Sequence, residues 1–211
     1  VGYGPLAESA DLRPHDFALR CLCIDLEVGR KDSKIHRFAG IRSDTGQAFH
    51  FHGGDLSAAL KRLDDLAEGA EFLVGHNLIE FDAKHLAAAS PELRLLRLPR
   101  IDTLRLSPLA FPRNPYHHLV KHYQDGQLKH ASRNDPELDA RLTLELLTDE
   151  CAAFRVIHQQ TPDLVAAYHW LMTVNDTGAG ADWLFGQVRR KSRPSDASAT
   201  VTLRRLLQGK A

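Results

Sequence analysis

Two carboxylates two positions apart, Asp25 and Glu27, sit in the most apolar segment of the chain, Phe17-Ala18-Leu19-Arg20-Cys21-Leu22-Cys23-Ile24-Asp25-Leu26-Glu27-Val28. Further on, Gly75-His76-Asn77 is followed by Asp82, and Asp139 lies in a helix-like stretch opened by Asp135-Pro136. Charged side chains are rare within buried strands unless they are paired or hold a metal. Residues two apart on a strand point to one face, so Asp25 and Glu27 act as a pair. Hard divalent cations take oxygen ligands, and two such ions around a phosphate need carboxylates delivered to one point by separate elements. The chemistry to expect is metal-assisted hydrolysis of a phosphodiester. The plainer reading makes 17–28 an edge strand and 75–82 a strand, a cap and a solvated helix. Asp82, however, shares its helix face with Leu86.

The elements that position these groups alternate in type. Residues 17–28 read as a strand buried on both faces, and two shorter strands at 34–42 and 47–52 meet at the turn Asp44-Thr45-Gly46. Asp55 caps a helix running to Glu68, and 71–74 is a strand. Asn77 and Glu80 have the spacing of a capping box, which predicts a helix from Asn77 that stops at Ser90-Pro91. Residues 93–104 look strand-like, 105–115 read as a Pro-rich loop, and 116–123 as a short helix. Asp135 as cap and Pro136 at the first helical position open a helix to about residue 158, burying Leu138, Leu142, Leu146, Cys151 and Phe154, with Asp139 on the face of Leu142 and Leu146. Residues 162–173 read as helix, 175–180 as a break, and 191–199 as a flexible linker. Strands first, then strand and helix alternating, predict an α/β fold with a mixed sheet and helices on both faces.

The motifs Asp25-Leu26-Glu27, Leu73-Val74-Gly75-His76-Asn77-Leu78-Ile79-Glu80-Phe81-Asp82 and Asp139-Ala140-Arg141-Leu142-Thr143-Leu144-Glu145-Leu146 resemble the DEDD (DnaQ-like) family of 3′–5′ exonucleases. The resemblance implies a ribonuclease H-like fold and two Mg2+ or Mn2+ ions, with Asp25 and Glu27 as the first two ligands and Asp82 as the third. For the fourth, Asp135 and Asp139 compete. In the common subtypes a His stands five residues before the fourth Asp, or a Tyr four before it. Asp135 would place His130 in the His position, whereas Asp139 leaves Asn134 and Asp135 in those slots. The helix-cap argument favours Asp139. An amide is no general base, so the water would then lose its proton to metal coordination alone or to a His from elsewhere, with His130 the best candidate. The segment Asn114-Pro115-Tyr116-His117-His118-Leu119-Val120-Lys121, followed by Asn134-Asp135-Pro136 and, two residues on, Asp139-Ala140-Arg141-Leu142, resembles exonuclease domains fused to bacterial RecQ-type DNA helicases. That implies DNA as substrate and a fused helicase as partner. The alternative is a catalytically weakened nucleic-acid binding module on the same fold.

The rest of the chain sets bounds. Its 211 residues, 43% hydrophobic, suffice for one core and an appendage. The expected division is an N-terminal extension 1–16, a nuclease domain 17–160, a helical extension 161–190 and a basic linker or tail 191–211. No stretch reaches membrane-spanning length, and the start at Val1 reads as that of a fragment from a longer protein. Cys21, Cys23 and Cys151 are placed like core hydrophobes, which fits a reducing cytoplasm better than zinc. Net charge is zero, so any nucleic-acid footprint is local. Between Gln187 and Ala211 seven Lys or Arg face one acid. Arg94, Arg97, Arg100, Lys129 and Arg133 suit backbone contacts, and His117, His118 and His122 suit surface or phosphate contacts.

Overall fold

The computed structural model describes residues 20–119, 135–174 and 178–208. Strand β1 (Cys21–Val28) is the central element, and its first four residues are fully buried. On one side of it lie β2 (Ile35–Arg42) and β3 (Ala48–Phe51), each antiparallel to its neighbour. On the other side β4 (Phe72–Gly75) and β5 (Arg100–Asp102) run parallel to it, giving the order β3-β2-β1-β4-β5. The helices are α1 (Leu56–Leu66), α2 (Asp82–Ala89), α3 (Thr103–Ala110), α4 (Pro136–Gln160), α5 (Pro162–Met172), α6 (Ala179–Arg189) and α7 (Asp196–Gln208), with a short 3-10 turn at Arg94–Arg97.

Alternate residues of β1 enter two different cores. Cys21 and Cys23 pack with Ala140, Leu147 and Phe154 of α4 and with Leu184 and Phe185 of α6. Leu22, Ile24 and Leu26 pack with Leu60 and Leu63 of α1, Leu86 of α2 and Leu95. The chain therefore forms an α/β fold in which a mixed five-stranded sheet carries helices on both faces, consistent with the ribonuclease H-like class. Both faces of β1 must be apolar, which is why no polar residue alternates through Cys21-Leu22-Cys23-Ile24. Each fully buried Leu or Ile there contributes about 1.5–3 kcal/mol. Among the described residues no helix is long and apolar enough to cross a membrane.

Several local expectations need correction. The helix after β4 starts at Asp82, not Asn77. Asn77 has φ 68°, a left-handed conformation that cannot begin a right-handed helix. Glu80 pairs with Lys84 and Arg105 instead of closing a capping box. Residues 103–110 form α3 despite Pro108, because Asp102 caps the helix by accepting from the Leu104 amide at 3.1 Å. Residues 116–119 are not helical, and 120–123 lie outside the described residues. On α4 the buried face carries Asp139, Ala140, Thr143, Leu147, Glu150, Cys151 and Phe154, so Leu138, Leu142 and Leu146 are turned partly outward.

The stretch whose Ser and Pro content suggested a linker leads into α7. Ser195 Oγ accepts from the Ser198 amide at 3.3 Å, the Trp170 indole N–H donates to Asp196 at 2.8 Å, and Arg205 pairs with Asp163. A polar helix start has thereby docked onto α5.

Candidate metal centre

Asp25 and Glu27 project from the last half of β1 on the face that packs against α4, the same face as Cys21 and Cys23. Asp139 enters from the first turn of α4 and is 8% exposed. One ligand atom of each of Asp25, Glu27 and Asp139 lies within 4.8 Å of the others. Three carboxylates at that separation repel one another, and a divalent cation between them turns repulsion into coordination. The donor set, all carboxylate oxygen, suits Mg2+ or Mn2+.

The backbone fixes this approach. Asp135 occupies the N-cap of α4, accepting from the amides of Glu137 at 3.1 Å and Leu138 at 3.4 Å, with Pro136 in the first turn. Asp139 is thereby set one turn inside, its amide donating to the Asp135 carbonyl at 3.0 Å and its carbonyl accepting from Thr143 Oγ1 at 2.8 Å. Cys23 Sγ donates to the Ala140 carbonyl at 3.3 Å, which ties β1 to α4 beside the acids. Of the two competing acids, Asp135 serves the helix end and Asp139 joins Asp25 and Glu27.

Asp82 stands next to the trio rather than within it. It is 2% exposed, and its Oδ1 accepts from the Leu26 amide, between Asp25 and Glu27, at 3.0 Å. That amide is available because the pairing of β1 with β4 ends at Cys23 and Val74. Burial pushes the Asp82 carboxyl up to about 7; the Leu26 N–H opposes the rise, while the charges of Asp102 and Glu27 add to it. Burial thus leaves Asp82 only about half ionised near neutral pH, and a cation nearby would favour the charged form.

Two groups escaped the sequence reading. Asp102, 4% exposed, accepts from the amides of Asn77 at 2.9 Å and Ile79 at 3.0 Å as well as from Leu104. It holds the turn that delivers Asp82, and its position between an apolar strand end and Thr103 was a cap signal hidden in the presumed strand. Glu150 on α4 is fully buried, and neither carboxyl oxygen has a hydrogen-bond partner among the described residues. Burial, with Asp102 and Asp149 adding, pushes it up to about 9, so it is a neutral acid at pH 7. No sequence signal marks it beyond its place one turn before Phe154.

His76 packs its Nδ1 2.9 Å from Thr103 Oγ1, and burial holds its pKa below the ordinary value. His117 Nδ1 lies 3.0 Å from Ser107 Oγ, next to a cavity of about 320 Å3 that Leu142 and Leu146 also line. His130, His122, Lys129, Arg133 and Asn134 lie outside the described residues. Arg94 is occupied by Asp64 at 2.9 Å and Asp65 at 3.2 Å, and Arg100 by the Leu96 carbonyl at 3.0 Å, so these two cations brace the fold. On the β2 side, Arg37 stands opposite Glu27, and Ala39 stands between Asp25 and His50 across the sheet.

Neither the protein-family models nor the curated proteins contain a match to this chain. The functional reading therefore rests on the residues and their geometry.

Proposed function

We propose that the chain is a metal-dependent 3′–5′ exonuclease that hydrolyses phosphodiester bonds, with DNA the favoured substrate. The observation that carries this reading is the convergence of Asp25, Glu27 and Asp139 within 4.8 Å from a strand and a helix distant in sequence. Asp25, Glu27 and Asp139 would hold Mg2+ or Mn2+, and Asp82 would complete the site from the Leu26 side. Two such ions, when bound, supply the charge that makes water nucleophilic near neutral pH and stabilises the leaving 3′ oxygen.

The chain's own residues contribute position. Asp135 aims α4, the Cys23 thiol docks it on β1, and Asp102 holds the turn that presents Asp82. In the reaction, water adds to phosphorus, the P–O3′ bond breaks, and the 3′ oxygen leaves with a proton. DNA is favoured over RNA on the resemblance of 114–121 and 134–142 to helicase-fused exonuclease domains, which also makes a helicase the proposed partner.

A 5′-labelled oligonucleotide incubated with Mn2+ tests the proposal. The expected product is a ladder shortened one nucleotide at a time from the 3′ end, absent in EDTA and absent for Asp25→Asn. A folded wild-type protein that binds the oligonucleotide but leaves it intact would instead be a binding module.

A further inference from the structure

His169, in the last turn of α5, is fully buried, and its ring stacks on Phe185 of α6 with centroids 5.9 Å apart. Both ring nitrogens are engaged. Nε2 lies 2.7 Å from Asp182 Oδ1, and Nδ1 lies 2.7 Å from Arg189 Nη1. A guanidinium only donates, so Nδ1 carries the lone pair and Nε2 the proton, and the ring is neutral in a single tautomer. A second proton would set an N–H against the guanidinium N–H, with nothing to accept either. Arg189 ends α6, and its Nη1 also donates to the Ser192 carbonyl at 3.0 Å. Four residues on, Arg193 donates to Thr173 Oγ1 at 2.8 Å, and Thr173 Oγ1 donates to the His169 carbonyl at 2.5 Å. With Asp196 bonded to the Trp170 indole, the segment joining α6 to α7 is fastened to the end of α5 at three points. Helix α7 packs chiefly on α5 and buries only Ala199 and Thr202, so polar fastenings rather than apolar area hold it.

We propose that His169 is an acid-sensitive latch, which fastens the α6–α7 junction to α5 while its ring is neutral and, on taking a proton, expels Arg189 and lets residues 189–208 come away from α5. The inference stands apart from the exonuclease reading. The charges that face the ring are Asp182 and Arg189 from α6 and Arg193 from the segment that follows; α7 brings Asp196, which Trp170 and Arg193 hold. Burial first, then Arg189 and Arg193, hold the His169 pKa below its ordinary value, against Asp182. From α4, His158 faces the same corner, and burial, with Arg189 and Lys191 adding, lowers its pKa too. A histidine whose folded pKa is depressed contributes its full stability above the ordinary value, and loses it as pH falls through that value towards the folded one. The latch therefore opens on the acid side.

Hydrogen exchange of the full chain, read by mass spectrometry at about pH 7.5 and about pH 5 with the intrinsic pH dependence of amide exchange divided out, tests the latch. Peptides within 189–208 should lose protection by about 10-fold or more at the acid pH, while peptides of β1 keep theirs. His169→Gln, whose amide donates to Asp182 and accepts from Arg189 but takes no proton, should hold the segment equally at both pH values. His158→Gln should keep the wild-type acid response. Equal protection of 189–208 at the two pH values in wild type overturns the latch, as does a loss shared by β1. The same acid loss in His169→Gln, or its disappearance in His158→Gln, overturns it as well. Should His169→Gln fail to hold the segment even at about pH 7.5, NMR titration of the His169 ring decides. Arg189→Met should raise its midpoint and Asp182→Asn lower it, and a midpoint indifferent to both removes the switch.

Discussion

A carboxyl taken out of water keeps its proton to higher pH, and Asp82 and Glu150 are both in that position, in different windows. Asp82 rises from 3.8 to about 7 and Glu150 from 4.5 to about 9. For each, the folded state holds the proton that the unfolded state gives up, so stability is full below the unfolded value and is lost as pH climbs through the folded one. In EDTA, wild type should therefore lose stability with rising pH, by at most about 1.4 kcal/mol per pH unit for each group. Denaturant unfolding across pH separates the two. Asp82→Asn should flatten the loss below about pH 7, and Glu150→Gln should flatten it between about pH 7 and 9. If the Glu150→Gln profile runs parallel to wild type in that upper window, Glu150 does not hold its proton to about pH 9. Asp82→Asn and Asp25→Asn should each abolish hydrolysis while keeping or raising stability without metal, because each relieves like-charge repulsion. A folded Asp25→Asn enzyme with wild-type activity would remove the site.

At the scale of elements, α4 and the turn before α2 decide whether the acids meet. Asp135 accepts two amides at the helix start, so Asp135→Ala should cost about 1 kcal/mol, while Asp135→Asn or Asp135→Ser keeps the cap and most of the activity. Asp139→Asn should do the reverse, losing activity with little change in apo stability. Activity surviving Asp139→Asn but not Asp135→Asn would show the register to be wrong. Asp102→Ala strands the amides of Asn77 and Ile79, and should cost about 1–3 kcal/mol together with activity, as α2 loses its anchor. The α4 start was legible because Asp-Pro is a local signal that needs no tertiary context. The turn was not. The left-handed φ of Asn77 depends on a carboxylate 25 positions away, and the capping-box spacing with Glu80 was coincidental.

For the whole molecule, the two-sided core was readable from the unbroken apolar run of β1, since only a central strand needs both faces dry. Asp25 and Glu27 stood out for the same reason. The bonding of Asp82 to the Leu26 amide was out of reach, because it depends on where β4 stops pairing. The C-terminal cations looked like a free basic tail, yet Arg189, Arg193 and Arg205 contact His169, Thr173 and Asp163. A metal held by Asp25, Glu27 and Asp139 would bridge β1 and α4, so its binding would be coupled to global stability. Mn2+ at about 100 times its Kd should stabilise the fold by about 2.7 kcal/mol over EDTA, and Asp25→Asn should lose most of that gain. Equal melting temperatures for wild type in Mn2+ and in EDTA would argue against a metal centre.

The thiol that docks α4 also makes the sheet a clock. Cys21 and Cys23 are fully buried and Cys151 nearly so, and burial pushes Cys21 and Cys151 up to about 12 and Cys23 well above the ordinary thiol value. An alkylating reagent needs the thiolate, so none of the three can react until the structure opens. The rate of labelling then counts openings, as amide exchange does, but at three chosen points. Cys23 sits two residues from Asp25 and bonds the residue after Asp139, so its trapping should slow when Mn2+ is added and the carboxylates are drawn together. Mass-resolved alkylation of each cysteine, with and without the ion, would read the joint between strand and helix directly.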